Sequence, residues 1–147
     1  MRDMAPVKLT VKELERLLGA EFPEMFHTQS GYAIEEVWHR GCRVRKHFDP
    51  GSLRPGGTVS GPTMMALADF AMYVALLATI GWVPHAVTAN LSINFLERPA
   101  AGDLLAEARL IKLGKRLAVA AIEIRSEGGA DLVAHATGTY SIPAARG

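Results

Sequence analysis

The chain has 147 residues, 49% hydrophobic and 21% charged, which fits one ordinary domain with a packed core and argues against global disorder. Sixteen Lys and Arg against 15 Asp and Glu leave a net charge of +1, which argues against nucleic acid as the main partner and offers little electrostatic resistance to self-association. Aromatic residues make up only 7% whereas alanine occurs 22 times, so the apolar mass is aliphatic and small.

The single Cys42 rules out an intramolecular disulfide, and no cysteine cluster exists to hold zinc. His27, His39, His47, His85 and His135 are scattered without metal-ligand spacing, so no metal and no cofactor is expected. The start, MRDMAPVKLT, lacks the apolar run of a signal peptide. These features point to a cytoplasmic protein in a reducing compartment.

In chain order, TVKELERLLG (10–19) reads as a short amphipathic helix. Thr10 and Glu13 form a capping box, Leu14, Leu17 and Leu18 supply the apolar face, and Gly19 is the expected stop. Residues 1–30 thus form a helical N-terminal extension. Two strands follow within 31–48, with Arg40-Gly41 as the candidate turn. The Pro- and Gly-rich stretch DPGSLRPGGTVSGP (49–62) is a loop of a length that often carries function.

Residues 62–80 (PTMMALADFAMYVALLATI) read as a helix about 28 Å long, opened by Pro62 and closed by Gly81. It is apolar nearly all round, so it belongs inside the protein. Its length would also cross a bilayer. Asp69 near its middle costs about 2.5–3.5 kcal/mol on insertion, which turns the reading away from a membrane. In AVTANLSINFL (86–96), Val87, Ala89, Leu91, Ile93 and Phe95 alternate with polar residues, as in a half-buried strand. Three more strands, 103–113, 116–126 and 131–141, are separated by Gly114-Lys115 and Gly128-Gly129, so they are antiparallel neighbours. The expected fold is α+β: one long central helix wrapped by a curved antiparallel sheet of five to six strands, in a single domain over 1–147.

Two features could carry chemistry. Asp69 is the only acidic or basic residue between Arg54 and His85, and it shares a helix face with Met65, Met72 and Tyr73. It either emerges at a solvent edge or caps a loop, or it is a catalytic carboxylate in an apolar pocket. The helix start, Ser60-Gly61-Pro62, offers free N–H groups and the positive end of the helix dipole, which suit a developing oxyanion. Plain helix punctuation explains the same residues. Gly61 and Asp69 lie about 12 Å apart along the helix, too far to act on one carbonyl within one chain. If both serve one reaction, they come from two subunits.

The run GGTVSGPTMMALADFAMYVA, followed by AVTANLSINFLERPAAGDLLAEARLIKLGKRLAVAAIEI and LVAHATGTYSIP, resembles the hotdog-fold thioesterases of the phenylacetyl-CoA (PaaI-type) family over about residues 31–142. The resemblance implies a hotdog fold, hydrolysis of acyl-CoA thioesters, and homodimers or dimers of dimers with interfacial sites. It implies Asp69 as the catalytic aspartate, acting as base or nucleophile. Gly61 would supply the backbone N–H that polarises the thioester carbonyl, and Thr88 would orient water. Gly114, Lys115 and Arg116 would meet the CoA phosphates, a role that exposed cations suit. Asn90 falls among the expected substrate contacts. Met65 and Tyr73, with Met64, Met72 and Phe95, either line the acyl pocket or are plain core.

Two positions depart from the family pattern. Ser60-Gly61-Pro62 stands where His-Gly-Gly is usual, and Arg54 stands where an Asn is usual. Ser60 either contacts substrate or caps the helix. Arg54 binds an acidic acyl group or a CoA phosphate, or simply faces water. Two other functions fit parts of the sequence: a non-catalytic acyl-CoA binding module, and a hotdog dehydratase or hydratase, the dehydratase reading resting on His47.

Overall fold

The computed structural model describes Arg2 and residues 4–144; positions 1, 3 and 145–147, at the ends of the expected 1–147 domain, lie outside the described residues. The first helix, α1 (Val11–Glu21), starts on the expected capping box, with the Glu13 N–H donating to Thr10 Oγ1 and the Thr10 N–H to Glu13 Oε1. It runs two residues past Gly19, which meets no neighbour there, and closes with the Phe22 N–H on the Leu18 carbonyl at 2.8 Å. Leu14 and Leu18 are fully buried and dock the helix on the domain.

Strands β1 (Tyr32–Trp38) and β2 (Gly41–Lys46) form the expected hairpin. The turn falls one residue earlier than Arg40-Gly41. Arg40 takes the left-handed conformation at φ 69°, and Gly41 opens β2. Glycine is required there because a Cβ would lie 2.1 Å from the Trp38 indole nitrogen. The Pro/Gly-rich stretch is not all irregular. It holds a 3₁₀ turn (Pro50–Ser52) and a two-strand ribbon, β3 (Leu53–Arg54) and β4 (Thr58–Val59). Gly56 and Gly57, both at positive φ, turn that ribbon.

Helix α2 (Gly61–Ile80) is the core. Its best 18-residue window has mean hydropathy 1.7, enough by length and composition to cross a membrane, yet 72% of that window is buried inside this fold. Strands β5 (Val87–Phe95), β6 (Leu104–Leu113), β7 (Leu117–Ser126) and β8 (Leu132–Ser141) complete one six-stranded antiparallel sheet in the order β1-β2-β6-β7-β8-β5. This sheet wraps α2, so β1 and β5 are its two edges.

The abundance of alanine has a physical cause here. Ala68, Ala71, Ala75 and Ala78 recur at helical spacing along α2, and all are 0% exposed. Ala106, Ala108, Ala118 and Ala120 are buried on the sheet strands that α2 crosses. Small side chains on both surfaces let the helix sit close to the sheet, which dense packing requires. Cys42 is part of this contact: its thiol donates to the Ala71 carbonyl at 3.0 Å, and burial pushes its pKa up to about 12.

Polar contacts concentrate at one corner. Arg45 on β2 bonds Glu35 of β1 at 2.6 Å, Asp103 at 3.0 Å and Glu127 at 2.9 Å, tying three chain segments together. The Arg45 guanidinium holds the Glu35 carboxyl below its usual range. The Phe48 N–H, at 2.7 Å, does the same for Asp103, with help from Arg45.

The helix–sheet contact and the Arg45 corner can each be tested by unfolding. Ala75→Leu should lower stability by about 1–3 kcal/mol in urea, because the close contact has no room for the added carbons. Both carboxyl pKa values are depressed on folding, so their stabilisation is complete above the ordinary carboxylate pKa and is lost as pH falls through the folded values. Urea midpoints should therefore decline below about pH 4.5, and Arg45→Met should flatten that decline.

Candidate active site

Asp69 sits on α2 where the buried helix meets the start of β5 and the end of β8. It neither caps a loop nor points into open water. Thr88 Oγ1 donates to Asp69 Oδ1 at 2.6 Å, and the Tyr140 hydroxyl donates to the same oxygen at 3.1 Å. Among the described residues nothing donates to Oδ2. One carboxylate oxygen is thus fixed by two hydroxyls, and the other has no such donor among the described residues.

A β-bulge makes this possible. Strict alternation along β5 puts Val87 on the apolar face and Thr88 on the polar one. The register against β8 slips instead between Thr88, opposite Tyr140, and Asn90, opposite Thr139. Ala89 is the extra residue. The slip turns Thr88 to the helix side, where buried Tyr140 also points, and leaves Val87 58% exposed. From Leu91 on, the odd positions face the helix as alternation requires, with Leu91 opposite Gly138.

Tyr140 belongs to this cluster, and the sequence alone did not single it out. Two cues point to it: alternation in β8 puts it on the face of buried Ala134 and Ala136, and a tyrosine ending an apolar face needs a partner for its hydroxyl. It stacks on Tyr73 with ring centroids 5.8 Å apart. Burial first, then the Asp69 charge, keeps its phenol well above the usual range. Burial raises Tyr73 as well, and burial followed by the Asp69 charge raises Tyr32.

The expected site residues fall into separate places. Asp69, Tyr73 and Thr88 line one cavity of about 300 Å³, together with Tyr140 and the apolar Phe22, Met25, Phe70, Pro84, Ala86 and Val87. Gly61 and Arg54 line another, of about 460 Å³, with Arg98, Glu97 and Phe95. Lys115 and Arg116 line a third of about 450 Å³ beside Val83, Ile142 and Pro143, and Gly114 closes the adjoining turn with its N–H on the Leu117 carbonyl. Asn90 is exposed, and its register puts it on the sheet face opposite Thr88. Met65 lies 39% exposed on α2, while Met72 is core, packed against Gly138. His47 is held by Asp103 at 3.1 Å and lines no part of the Asp69 cavity.

The start of α2 is built as an open donor. Ser60 is its N-cap, with its hydroxyl oxygen accepting from the Thr63 N–H at 3.3 Å and its own N–H bonded to the Ser52 carbonyl. Pro62 has no N–H. Among the described residues, nothing accepts from the Gly61 N–H, and Gly61 lines the second cavity at the positive end of the helix dipole.

The sequence profile of the thioesterase superfamily matches residues 56–133, more than half of the chain, and the chain belongs to that superfamily. A protein of Saccharolobus solfataricus proposed to be an esterase is 34% identical over 134 residues, covering 91% of this chain and 86% of its own. A crystal structure of a proposed thioesterase from a Silicibacter species is 42% identical, with a TM-score of 0.84 and 95% of each chain covered. A mutant of the phenylacetic acid degradation protein PaaI from Thermus thermophilus is 27% identical, with a TM-score of 0.70 over 82% of this chain and 99% of that one. The fold is accordingly the hotdog fold, and these relatives support thioesterase activity.

The tyrosine–aspartate contact makes a prediction independent of turnover. All three tyrosines have raised pKa values, so ultraviolet titration of the native protein should show the phenols ionising above the ordinary value near 10. Asp69→Asn should move part of the titration to lower pH, because it removes the charge that opposes ionisation of Tyr140 and Tyr32. A titration that Asp69→Asn leaves unchanged would contradict the contact.

Proposed function

We propose that the protein is an acyl-CoA thioesterase whose active site is completed by a second copy of the chain. One observation carries this reading: edge strand β5 bears a half-site at each end. Thr88, at its start, holds Asp69. Phe95, at its end, packs over Gly61, where a Cβ would come within 3.3 Å of the ring. Antiparallel pairing of β5 with β5 of a second copy, centred on Ser92 and with Ala89 again left out as the extra residue, sets residue 88 of one chain opposite residue 95 of the other. That brings the Asp69 of one copy to the Gly61 of its partner, which the spacing along a single helix cannot do. The strand is suited to such pairing, being an open edge with exposed Val87, Phe95 and the adjoining Leu96.

In this arrangement the thioester oxygen sits at the free Gly61 N–H. The helix end stabilises the oxyanion of the tetrahedral intermediate, and the fixed donor needs no reorganisation as charge develops. Asp69 Oδ2 takes the proton of the attacking water while Thr88 and Tyr140 hold Oδ1. Collapse of the intermediate breaks the C–S bond and releases CoA thiolate and the carboxylic acid. Arg54 and Arg98 stand beside Gly61 as cations for the phosphate-bearing part of the substrate. Lys115 and Arg116 offer a second cationic spot.

Asp69→Asn should reduce turnover of acyl-CoA substrates by about 10²–10⁴-fold with the fold intact, as expected for loss of a general base. The two-copy site is tested by mixing chains. Asp69→Asn and Gly61→Val homo-oligomers should each be inactive, whereas co-expressed mixed oligomers should regain activity, because one of their two sites is then intact. A mixture as inactive as its parents would refute the shared site, and full turnover by Asp69→Asn would refute the role of the carboxylate.

A further inference from the structure

A further cavity, of about 390 Å³, shares no residue with the three already described. Glu107 and Arg109 of β6, Glu123 of β7 and His135 of β8 line it. Their neighbours Ala106, Ala108, Ile122, Ala134 and Ala136 are buried, so alternation puts the cavity on the sheet face turned away from α2. Trp38, His39 and Arg40 reach it from the β1–β2 turn, and Arg2 from the N-terminal segment. Glu107 and Glu123 stand directly opposite each other on paired strands, an unfavourable placing of like charges unless cations attend them. The attending cations lie outside the lining: Arg43 approaches Glu107 at 3.8 Å, and Arg125 bonds Glu123 at 3.2 Å. Arg2 stacks over the Trp38 ring at 3.8 Å and pairs with Glu36, which is also outside the lining.

With those pairs made, Arg40 and Arg109 have no carboxylate within ion-pair distance among the described residues. Arg40 is the telling one. Its φ of 69° is a costly conformation for a residue with a Cβ. Two hydrogen bonds hold it there: its N–H donates to Thr79 Oγ1 of α2 at 2.9 Å, and its carbonyl accepts from the Leu110 N–H of β6 at 2.8 Å. Its Nε is buried and has no hydrogen-bond partner among the described residues, a donor without an acceptor beside a cavity. We propose that this cavity is a second binding site, separate from the thioester site, for a compact phosphate-bearing anion with the charge of a diphosphate. The two unpaired guanidiniums come from different elements, a turn and a strand. A phosphate presents oxygens on all sides and can meet a fork from each, whereas a planar carboxylate accepts one fork along one edge. The volume lies within the range of small-molecule sites.

The test is calorimetry on the full chain with inorganic pyrophosphate, ADP and malonate at one fixed salt concentration, and none of it depends on turnover. Pyrophosphate should bind saturably and raise the melting temperature of the native protein. Arg40→Gly is the informative variant, because glycine takes the left-handed conformation without strain. Its urea midpoint should not fall, while its affinity for pyrophosphate should drop by about tenfold or more, the loss expected when a charge-assisted hydrogen bond is removed. Arg109→Gln, at an exposed strand position, should weaken binding on the same scale and serves if the turn variant misfolds. ADP tells a nucleotide from a bare diphosphate, and Arg40-dependent binding of either supports the site. The Arg54→Gln, Arg98→Gln double variant and Lys115→Gln, which alter the other cationic cavities, should leave pyrophosphate binding within about twofold of the native value, well short of that loss. Pyrophosphate binding that survives Arg40→Gly and Arg109→Gln but is lost in those controls overturns the proposal. So does the absence of Arg40-dependent binding by both phosphate ligands. Tighter binding of malonate than of pyrophosphate overturns the assignment to phosphate.

Discussion

Everything in this fold follows from the enclosure of one helix. α2 is apolar on all sides, and 13 of its 20 residues are buried. No single flat partner could cover it. A sheet of six antiparallel strands can, provided it curves and comes close, and the buried alanines on both surfaces permit that approach. The one charge on the helix, Asp69, must then lie where the wrapping ends. It lies at the seam between α2, the start of β5 and the end of β8, where two hydroxyls satisfy it without neutralising it. The one carboxylate of the helix and the limit of the core are thus the same place.

Much of this was legible in the residues. The length and composition of 62–80 specify a buried helix, and the turns between 103 and 141 specify antiparallel neighbours. The solitary Asp69 marks itself because a carboxylate in an apolar helix demands an explanation. What pattern could not show was register. The period-2 reading of AVTANLSINFL is correct from Leu91 onward and fails at Ala89, because a bulge is a property of two paired strands and not of one. Tyr140 was hidden for the same reason. It lies 71 residues from Asp69, and only the pairing of β5 with β8 joins them. The turn at His39-Arg40 was displaced by the Trp38 ring over Gly41, a contact that propensity does not encode.

The separation of the site residues into different cavities is itself informative. Within one chain, the carboxylate and the helix-end donor open into spaces with different linings, one apolar and one flanked by arginines. A thioester of CoA has the same division, with an apolar acyl group at one end and phosphates at the other. The near-neutral charge of the whole chain conceals this polarity. On the proposed reading, it is the arrangement of few cations, not their number, that would suit such a ligand.

The enclosure of α2 also has a consequence for how the chain is made. β1 and β2 precede the helix, but the four strands β5 to β8 that complete its cover are translated after it. The ribosome must add 61 residues, from Gly81 to Ser141, before the last of them exists. At about 5–20 residues per second that is roughly 3–12 s, during which a segment hydrophobic enough for a membrane has only part of its sheet. A nascent chain in this interval carries an apolar rod with only part of its cover, an exposure that its finished surface does not reveal.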